Sequence, residues 1–167
     1  MQKILISACL LGQPVRYHGR GAACTHGLLA QWRAEGRLLP VCPEVAGGLP
    51  TPRPPAEIAG AGGGAAVLRA QARVLDAQGT DVSAAFAAGA QQALALAVAQ
   101  GIRLAILKED SPSCGSAWIH DGGFAGRRVA GQGVTAALLR EAGLSVFSEH
   151  ELEAAAAWLA RLEAASR

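Results

Sequence analysis

With 167 residues, the chain has the length of about one domain, and roughly two-thirds of the surface of such a chain is buried on folding. Its 51% hydrophobic and 17% charged residues exclude a disordered or fibrous protein. The 15 Lys and Arg against 13 Asp and Glu give a net charge of +2, too balanced for a protein that binds nucleic acid mainly through charge. We therefore expect a single domain over residues 1–167, with no long nucleic-acid footprint.

Short apolar runs alternate with longer amphipathic segments along most of the chain. The runs are apolar or β-branched and end at small or turn-forming residues, which is typical of buried strands. The longer segments have apolar residues at helical spacing and Gly after their last turn. In chain order the predicted elements are strand 3–7, helix 25–35, strand 38–41, strand 72–76, helix 81–100, strand 102–107, helix 134–142, strand 144–147 and helix 149–165.

This alternation predicts an α/β protein with a single-domain, Rossmann-like, three-layer fold, in which helices cover both faces of a mostly parallel sheet. A small β-hairpin is predicted over residues 117–129, with Asp121, Gly122 and Gly123 at its turn. Residues 45–64 are rich in Gly and Pro, so a long irregular loop is expected there, without a regular helix or a central strand.

The sequence contains no candidate membrane span, because its longest apolar runs are far shorter than the roughly 20 residues that cross a bilayer. The first residues resemble a short secretion signal, but the apolar run is too short and no small-residue cleavage site follows. We therefore expect a cytoplasmic protein. In that reducing compartment its four cysteines are not expected to form structural disulfides.

Three of the four cysteines follow predicted strands. Cys9 lies two residues after the first strand, Cys42 directly follows the second, and Cys114 lies in the loop after the strand at 102–107. Because ligands of open parallel sheets bind beyond the carboxyl ends of the strands, we expect these thiols to meet at one edge of the sheet. Cys24 instead precedes a helix, in a stretch rich in Gly and Ala.

Three converging thiolates are suited to a soft metal, either Zn²⁺ with an open fourth position or an iron–sulfur cluster. The chain lacks the close pairs of cysteines that zinc knuckles use, so the fold itself must gather the ligands. A four-iron cluster normally takes four thiolates, so three would leave one iron with an exchangeable position. The alternative is that each cysteine is simply a small buried apolar residue.

Several long motifs, in order along nearly the whole chain, resemble the thiouracil desulfidase family. They are SACLLG at 7–12, VRYHG at 15–19, PVCPEVAGGLPTPRPPAEI at 40–58, LAILKEDSPSCGS at 104–116 and GQGVTAALL at 131–139. The resemblance implies an enzyme with a four-iron four-sulfur (4Fe-4S) cluster held by Cys9, Cys42 and Cys114. It further implies that the fourth iron takes the sulfur of a thiolated pyrimidine, giving uracil and hydrogen sulfide without net redox change.

The sequence differs from the family pattern at two positions: His18 stands where an Asp is expected, and Cys24 is additional. Desulfuration needs a proton donor and an activated water, and Glu44, two residues after Cys42, is the candidate for both tasks. Ser111 and Ser113 flank Pro112 before Cys114, and either hydroxyl is a candidate for holding the substrate carbonyl, relaying a proton or bonding a cluster sulfur.

Several other polar and aromatic residues lie in or near these motifs. Arg53, among three prolines, is either a clamp for a phosphate or carbonyl group or a rigid brace of its loop. Lys108 and Glu109 are expected to pair with each other. Trp118, near the Cys114 loop, is a candidate for stacking on a base, whereas the scattered His26, His120 and His150 suggest no metal site.

The function predicted first is hydrolytic desulfuration of a small thiolated nucleobase or nucleoside, such as 2-thiouracil. The second hypothesis is a non-catalytic three-cysteine module, holding zinc or an iron–sulfur cluster, that stabilises the domain or senses redox state. That hypothesis requires a fourth ligand, for which Cys24 is the candidate. A third, a metal-free hydrolase with a nucleophilic cysteine, has no evident histidine partner in the motifs of Cys9, Cys42 and Cys114, so the fold would have to bring one close.

Overall fold

The computed structural model describes all 167 residues of the protein. Besides a 3-10 turn at Ala8–Leu11, its elements in chain order are β1 (Ile4–Ser7), α1 (Gly27–Ala34), β2 (Leu38–Val41), α2 (Pro43–Ala46), β3 (Ala56–Ala59), α3 (Gly63–Leu68), β4 (Arg73–Asp76), α4 (Ser83–Ala99), β5 (Leu104–Leu107), β6 (Trp118–His120), β7 (Arg128–Ala130), α5 (Val134–Glu141), β8 (Ser145–Ser148) and α6 (Leu152–Ala165). All nine predicted strands and helices are therefore present, and no end differs by more than three residues.

The central sheet has four parallel strands in the order β2-β1-β5-β8. All residues of β1 and β5 are buried, which is why these strands are continuous apolar runs. Side chains alternate between the two faces: Ile4 and Ile6 pack with α1 and α6, whereas Leu5 packs with α4 and α5. The predicted α/β fold, with three layers around a parallel sheet and a small hairpin, is confirmed.

The chain leaves β1 and β5 toward opposite faces of the sheet. Helix α1, which follows β1, packs in one core, and α5, which follows β5, packs in the other. The crevice where neighbouring strands diverge in this way is the usual ligand site of open α/β sheets. The residues that follow β1, β2 and β5 therefore surround the expected site.

The prediction of an irregular loop over residues 45–64 is wrong in part. Residues 56–59 lie between the last proline and the following glycines, and they form strand β3, which pairs antiparallel with β4. Helix α3 begins within the glycines, where a Cβ on Gly64 would lie 2.3 Å from the carbonyl oxygen of Gly133. The strand predicted at 72–76 is formed as β4, but it lies outside the parallel sheet.

The region around β3 and β4 has its own apolar core, which α4 shares through Phe86 and Ala90. The hairpin of β6 and β7 is antiparallel, as predicted, and packs beside β3. Residues of both antiparallel pairs lie close to the segments that follow the carboxyl ends of β1, β2 and β5. No helix has both the length and the apolar composition that a membrane span requires.

Candidate functional site

A cavity of about 420 Å³ opens at the carboxyl ends of the parallel strands. Cys9, Cys42 and Cys114 all line this strand-end cavity, as their positions after three strands predict. All four cysteines of the chain are free thiols. The fold therefore brings together three sulfur atoms that are separated by 33 and 72 residues in sequence.

Burial favours the neutral form of the three cavity thiols. Burial raises the pKa of Cys9 to about 11, although the positive charges of Arg16 and Lys108 oppose the shift. Burial also raises the pKa of Cys114, opposed by a hydrogen bond from Ser7. The Ser7 hydroxyl accepts the backbone N–H of Lys108 at 2.9 Å, so its own hydrogen is free to donate to the Cys114 sulfur.

Cys42 occupies the residue before helix α2, whose first residue is Pro43. Burial raises the pKa of this thiol, and the backbone N–H groups of Val45 and Glu44 at the helix start lower it. The thiol donates to the carbonyl oxygen of Val15 at 3.8 Å. A thiolate at this position would accept the N–H groups of the helix start instead, so the local backbone favours Cys42 as an anionic ligand.

The cysteines share a cavity without forming a tight single-ion site. No three His, Cys, Asp or Glu residues lie close enough together to hold one metal ion. A tetrahedral zinc site needs all its sulfur ligands about 2.3 Å from one point, whereas the thiolates of an iron–sulfur cluster attach to separate irons. Cys24, the fourth ligand that the non-catalytic hypothesis requires, does not line the cavity and packs against the core of α1 and α6.

Glu44 also lines the strand-end cavity, and Arg53 holds it in place. The Nε of Arg53 donates to Oε1 of Glu44 at 3.2 Å, and Oε2 has no protein partner. Burial raises the pKa of Glu44, while the charge and hydrogen bond of Arg53 oppose that shift. A carboxyl group with a raised pKa beside three thiols is suited to proton transfer.

Arg53 acts as a brace, which is one of the two roles its sequence context suggested. Its guanidinium also donates to the carbonyl oxygens of Val15 and Pro50 and to the hydroxyl of Thr51, at 3.0–3.1 Å. These bonds tie the proline-rich segment, the segment after the 3-10 turn and Glu44 to one side chain that is only 5% exposed. Few of its five N–H donors remain for a substrate phosphate.

The two candidate serines have different surroundings. Ser111 lines the cavity, and its hydroxyl oxygen accepts the backbone N–H groups of Ser113 and Cys114, each at 3.1 Å. Ser113 is 0% exposed, lies outside the cavity lining, and bonds the hydroxyl of Thr135 at 3.0 Å. Of the two serines, only Ser111 therefore lies in the cavity wall.

The expected pairing of Lys108 with Glu109 is wrong. Lys108 pairs with Glu149 at 3.0 Å. The buried carboxylate of Glu109 accepts the Ser116 hydroxyl and four backbone N–H groups, those of Asp110 and of residues 116–118. Burial raises the pKa of Glu109, but these hydrogen bonds outweigh it and lower the pKa overall. Glu109 therefore fixes the turn that follows Cys114, a role that no local sequence pattern revealed.

The cavity is also lined by four residues that no sequence pattern marked as site candidates: Tyr17, Glu57, His120 and Phe124. The Nδ1 atom of His120 lies 3.1 Å from the carbonyl oxygen of Asp110, which fixes the ring. Trp118, the aromatic residue considered for base stacking, lies outside the cavity with the Arg128 guanidinium 5.8 Å from its ring centre. His18 is also outside the cavity and accepts the backbone N–H of Arg20.

Comparison with known proteins identifies the family of this chain. Residues 4–151 match the family model described as 2-thiouracil desulfurase. A solved structure described as the [4Fe-4S]-dependent thiouracil desulfidase TudS has 52% sequence identity and a TM-score of 0.87, with 96% of this chain and 99% of that chain covered. The Bacillus subtilis (strain 168) protein described as uncharacterized protein YbbK is 46% identical over 149 residues, which are 89% of this chain and 97% of that protein. The chain belongs to the 2-thiouracil desulfurase family.

Proposed function

We propose that the protein removes sulfur from a thiolated pyrimidine such as 2-thiouracil by hydrolysis, using a 4Fe-4S cluster held by Cys9, Cys42 and Cys114. The observation that carries this proposal is the meeting of these three thiols with Glu44 and Ser111 in one cavity at the strand ends. Membership of the desulfurase family and the similarity to a [4Fe-4S]-dependent thiouracil desulfidase support it.

The donor set of the cavity fits such a cluster. Thiolates are the usual ligands of iron–sulfur clusters, and the cavity contains three cysteines and no fourth. When bound, a cluster with three protein ligands supplies an iron with an exchangeable position, which acts as a Lewis acid for sulfur. The net reaction exchanges the C=S bond of the substrate for C=O, consumes one water, releases one hydrogen sulfide, and transfers no electrons.

Glu44 is proposed to move the protons of this reaction at Oε2. Arg53 occupies Oε1 and keeps the carboxyl group in one orientation, so that Oε2 remains available in the cavity. As a base, the carboxylate removes a proton from the water that attacks the ring carbon, and as an acid it returns that proton to the departing sulfur. The second proton of the water leaves the carbon-bound hydroxyl as the C=O bond forms, and it completes the hydrogen sulfide that is released. Its raised pKa suits a group that must both accept and give up a proton.

Ser111 is proposed to donate a hydrogen bond to the pyrimidine. Its oxygen already accepts two backbone N–H groups, so its hydrogen is free to point at a substrate oxygen or nitrogen. A hydroxyl fixed in this way orients the ring without needing to reorganise. We assign Ser113 no contact with the substrate, because its hydroxyl is taken up by Thr135.

We further propose that the substrate is a free nucleobase or nucleoside and that the whole chain, residues 1–167, acts as one domain. Residues from both antiparallel pairs and from the parallel sheet line a single cavity, whose size suits a small molecule. The net charge of +2 gives little support for a long nucleic-acid footprint. Four free cysteines suit the reducing cytoplasm, which we propose as the compartment of the protein.

The test is anaerobic reconstitution with iron and sulfide, followed by measurement of uracil and sulfide released from 2-thiouracil. We expect both products in equal amounts, without any added oxidant or reductant. Turnover that depends on an added reductant would contradict the hydrolytic reaction. A fully loaded cluster without turnover on any thiolated base would overturn the proposed function.

A further inference from the structure

The loop of the β6–β7 hairpin, residues 121–127, forms a wall of the strand-end cavity that the proposed reaction does not use. Phe124 and Gly126 of this loop line the cavity. Phe124 is 41% exposed, although its side chain is apolar. An exposed apolar ring at the edge of a cavity is a common feature of ligand sites, because the ligand covers it.

The backbone of Phe124 is held in an unfavourable conformation. Its φ is +54°, in the left-handed region that a bulky side chain rarely adopts. Only two other non-glycine residues of the chain have positive φ, and one of them, Asp110, also lines the cavity. Such conformations persist where surrounding contacts impose them, and they concentrate at functional sites.

The contact that imposes this conformation comes from Glu57 in strand β3. Its carboxylate oxygen Oε1 accepts the backbone N–H of Gly122 at 3.0 Å and that of Phe124 at 3.2 Å. Glu57 is only 9% exposed, and a buried carboxylate is costly unless hydrogen bonds compensate. The loop also lies directly on β3, since a Cβ on Gly122 would be 2.7 Å from the carbonyl oxygen of Ile58.

Phe124 is also the aromatic ring of the cavity that has no partner of its own. The Tyr17 ring lies 4.7 Å from the His18 ring and has the Arg16 guanidinium 6.0 Å from its centre. Trp118, on the same hairpin, is outside the cavity and paired with Arg128. A flat heteroaromatic ligand would therefore find one free ring face in the cavity wall.

We propose that Phe124 stacks on the pyrimidine ring of the substrate and that Glu57 is the positioning residue that holds Phe124 in place. This inference rests on the proposed function, since it concerns the substrate of the same cavity. Stacking would bind the flat ring on one side of the cavity. The reacting C=S group would then face Glu44 and Ser111 on the side of the parallel sheet. Stacking contributes equally to binding of substrate and product, because both have the same ring.

The first test compares Phe124→Ala, Phe124→Tyr and the matched control Trp118→Ala, which removes an exposed ring from the same hairpin outside the cavity. Loss of one base–aromatic stack is expected to raise KM for 2-thiouracil, and the Kd for uracil, about fivefold to a hundredfold in Phe124→Ala, with little change in kcat. Phe124→Tyr keeps the ring and is expected to retain wild-type KM, as is Trp118→Ala. Unchanged KM and Kd in Phe124→Ala would overturn the proposal.

The second test asks whether Glu57 acts through Phe124. Glu57→Ala is expected to raise KM as Phe124→Ala does, and the double variant is expected to be no weaker than either single variant, because the two changes remove the same contact. Glu57→Gln retains an acceptor oxygen and is expected to restore most of the affinity. Additive losses in the double variant would show that Glu57 has a separate role and would overturn its assignment as a positioning residue.

Two measurements keep these outcomes distinct from the proposed function and from unfolding. Equilibrium dialysis of uracil against cluster-loaded protein reports binding without turnover. A wild-type protein that binds uracil through Phe124 but releases no sulfide contradicts the proposed function only, whereas one that binds no uracil overturns the stacking proposal. Thermal unfolding of each variant identifies a Glu57→Ala protein that is unfolded, in which case Phe124→Ala and Glu57→Gln decide the question.

Discussion

The strand-end cavity has two sides, and different features of the fold place the residues of each side. One side is the edge of the parallel sheet, where the segments after β1, β2 and β5 supply the three thiols, Glu44 and Ser111. The other side belongs to the antiparallel pairs and supplies Glu57, His120 and Phe124. The first side follows from the topology of the fold, and the second depends on contacts between loops. We infer that the sheet edge carries the chemistry and that the antiparallel side recognises the ring.

The largest effect is expected when one of the three thiols at the sheet edge is removed, and this change tests whether the sheet edge carries the chemistry. Cys9→Ala, Cys42→Ala and Cys114→Ala are each expected to abolish both the cluster and sulfide release, because two thiolates leave a second iron without a protein ligand. Cys24→Ala is the matched control and is expected to retain both, since Cys24 lies outside the cavity. Iron and sulfide content with an anaerobic absorption spectrum measures the outcome. Loss of the cluster in Cys24→Ala would instead support the non-catalytic module.

Glu44→Gln separates proton transfer from cluster binding. The amide keeps an acceptor oxygen for Arg53 but cannot exchange a proton, so kcat is expected to fall about 10²- to 10⁴-fold with iron content unchanged. KM is expected to change little, because the side chain keeps its shape. A variant that loses its cluster would show that Glu44 supports the ligands instead of the reaction. One that keeps wild-type kcat would remove Glu44 from the mechanism.

The difference between the two regions also explains what the sequence could predict. Cys9, Cys42 and Cys114 each follow a strand, and the parallel topology then places them at one edge of the sheet. Local sequence patterns and one topological rule are therefore sufficient to predict that these three residues lie close together. Phe124 stands in a segment of Gly and charged residues that resembles any hairpin turn. The role proposed for it depends on a hydrogen bond to Glu57, 67 residues earlier, and no local pattern encodes that contact.

The same limit applies within the sheet edge itself. Ser111 and Ser113 have equivalent positions on the two sides of Pro112, so the sequence gives no reason to prefer one. The structure distinguishes them because α5 brings Thr135 against Ser113. Similarly, Glu109 follows Lys108 directly in sequence, which suggests an ion pair between them. In the structure, the Glu109 carboxylate instead accepts three backbone N–H groups of the turn after Cys114. Both assignments require tertiary contacts.

Alanine variants of the two serines are expected to differ in kcat/KM and in the free energy of unfolding. Ser111→Ala is expected to lower kcat/KM about 10- to 100-fold, because it removes the one hydroxyl of the pair that faces the cavity. Ser113→Ala is expected to leave kcat/KM unchanged and to lower the free energy of unfolding by about 1 kcal/mol, through the lost bond to Thr135. Steady-state kinetics and urea unfolding of both variants test this. The reverse pattern would place the functional hydroxyl at Ser113.

Changes in the packing that holds Cys42 and Glu44 beside the sheet are expected to act on stability and iron content, and not directly on the reaction. Gly89 of α4 lies against α2, and a Cβ at this position would be 1.8 Å from the carbonyl oxygen of Pro43, which lies between Cys42 and Glu44 in the chain. Helix propensity alone predicts that Gly89→Ala stabilises the protein by about 1 kcal/mol. The close approach of the two backbones predicts the opposite sign, with a loss of about 1–3 kcal/mol as α2 is pushed away.

Ala88→Gly is the matched control, because Ala88 is the exposed neighbour of Gly89 in the same helix. It is expected to lose about 1 kcal/mol from helix propensity while keeping full cluster content. Gly89→Ala is expected to be destabilised and also to retain less iron after reconstitution, since the shift of α2 moves Cys42 away from the other thiols. Urea unfolding and iron analysis measure both effects. A stabilised Gly89→Ala protein with full iron content would show that α2 is not fixed by this contact, and that the sheet edge alone positions Cys42.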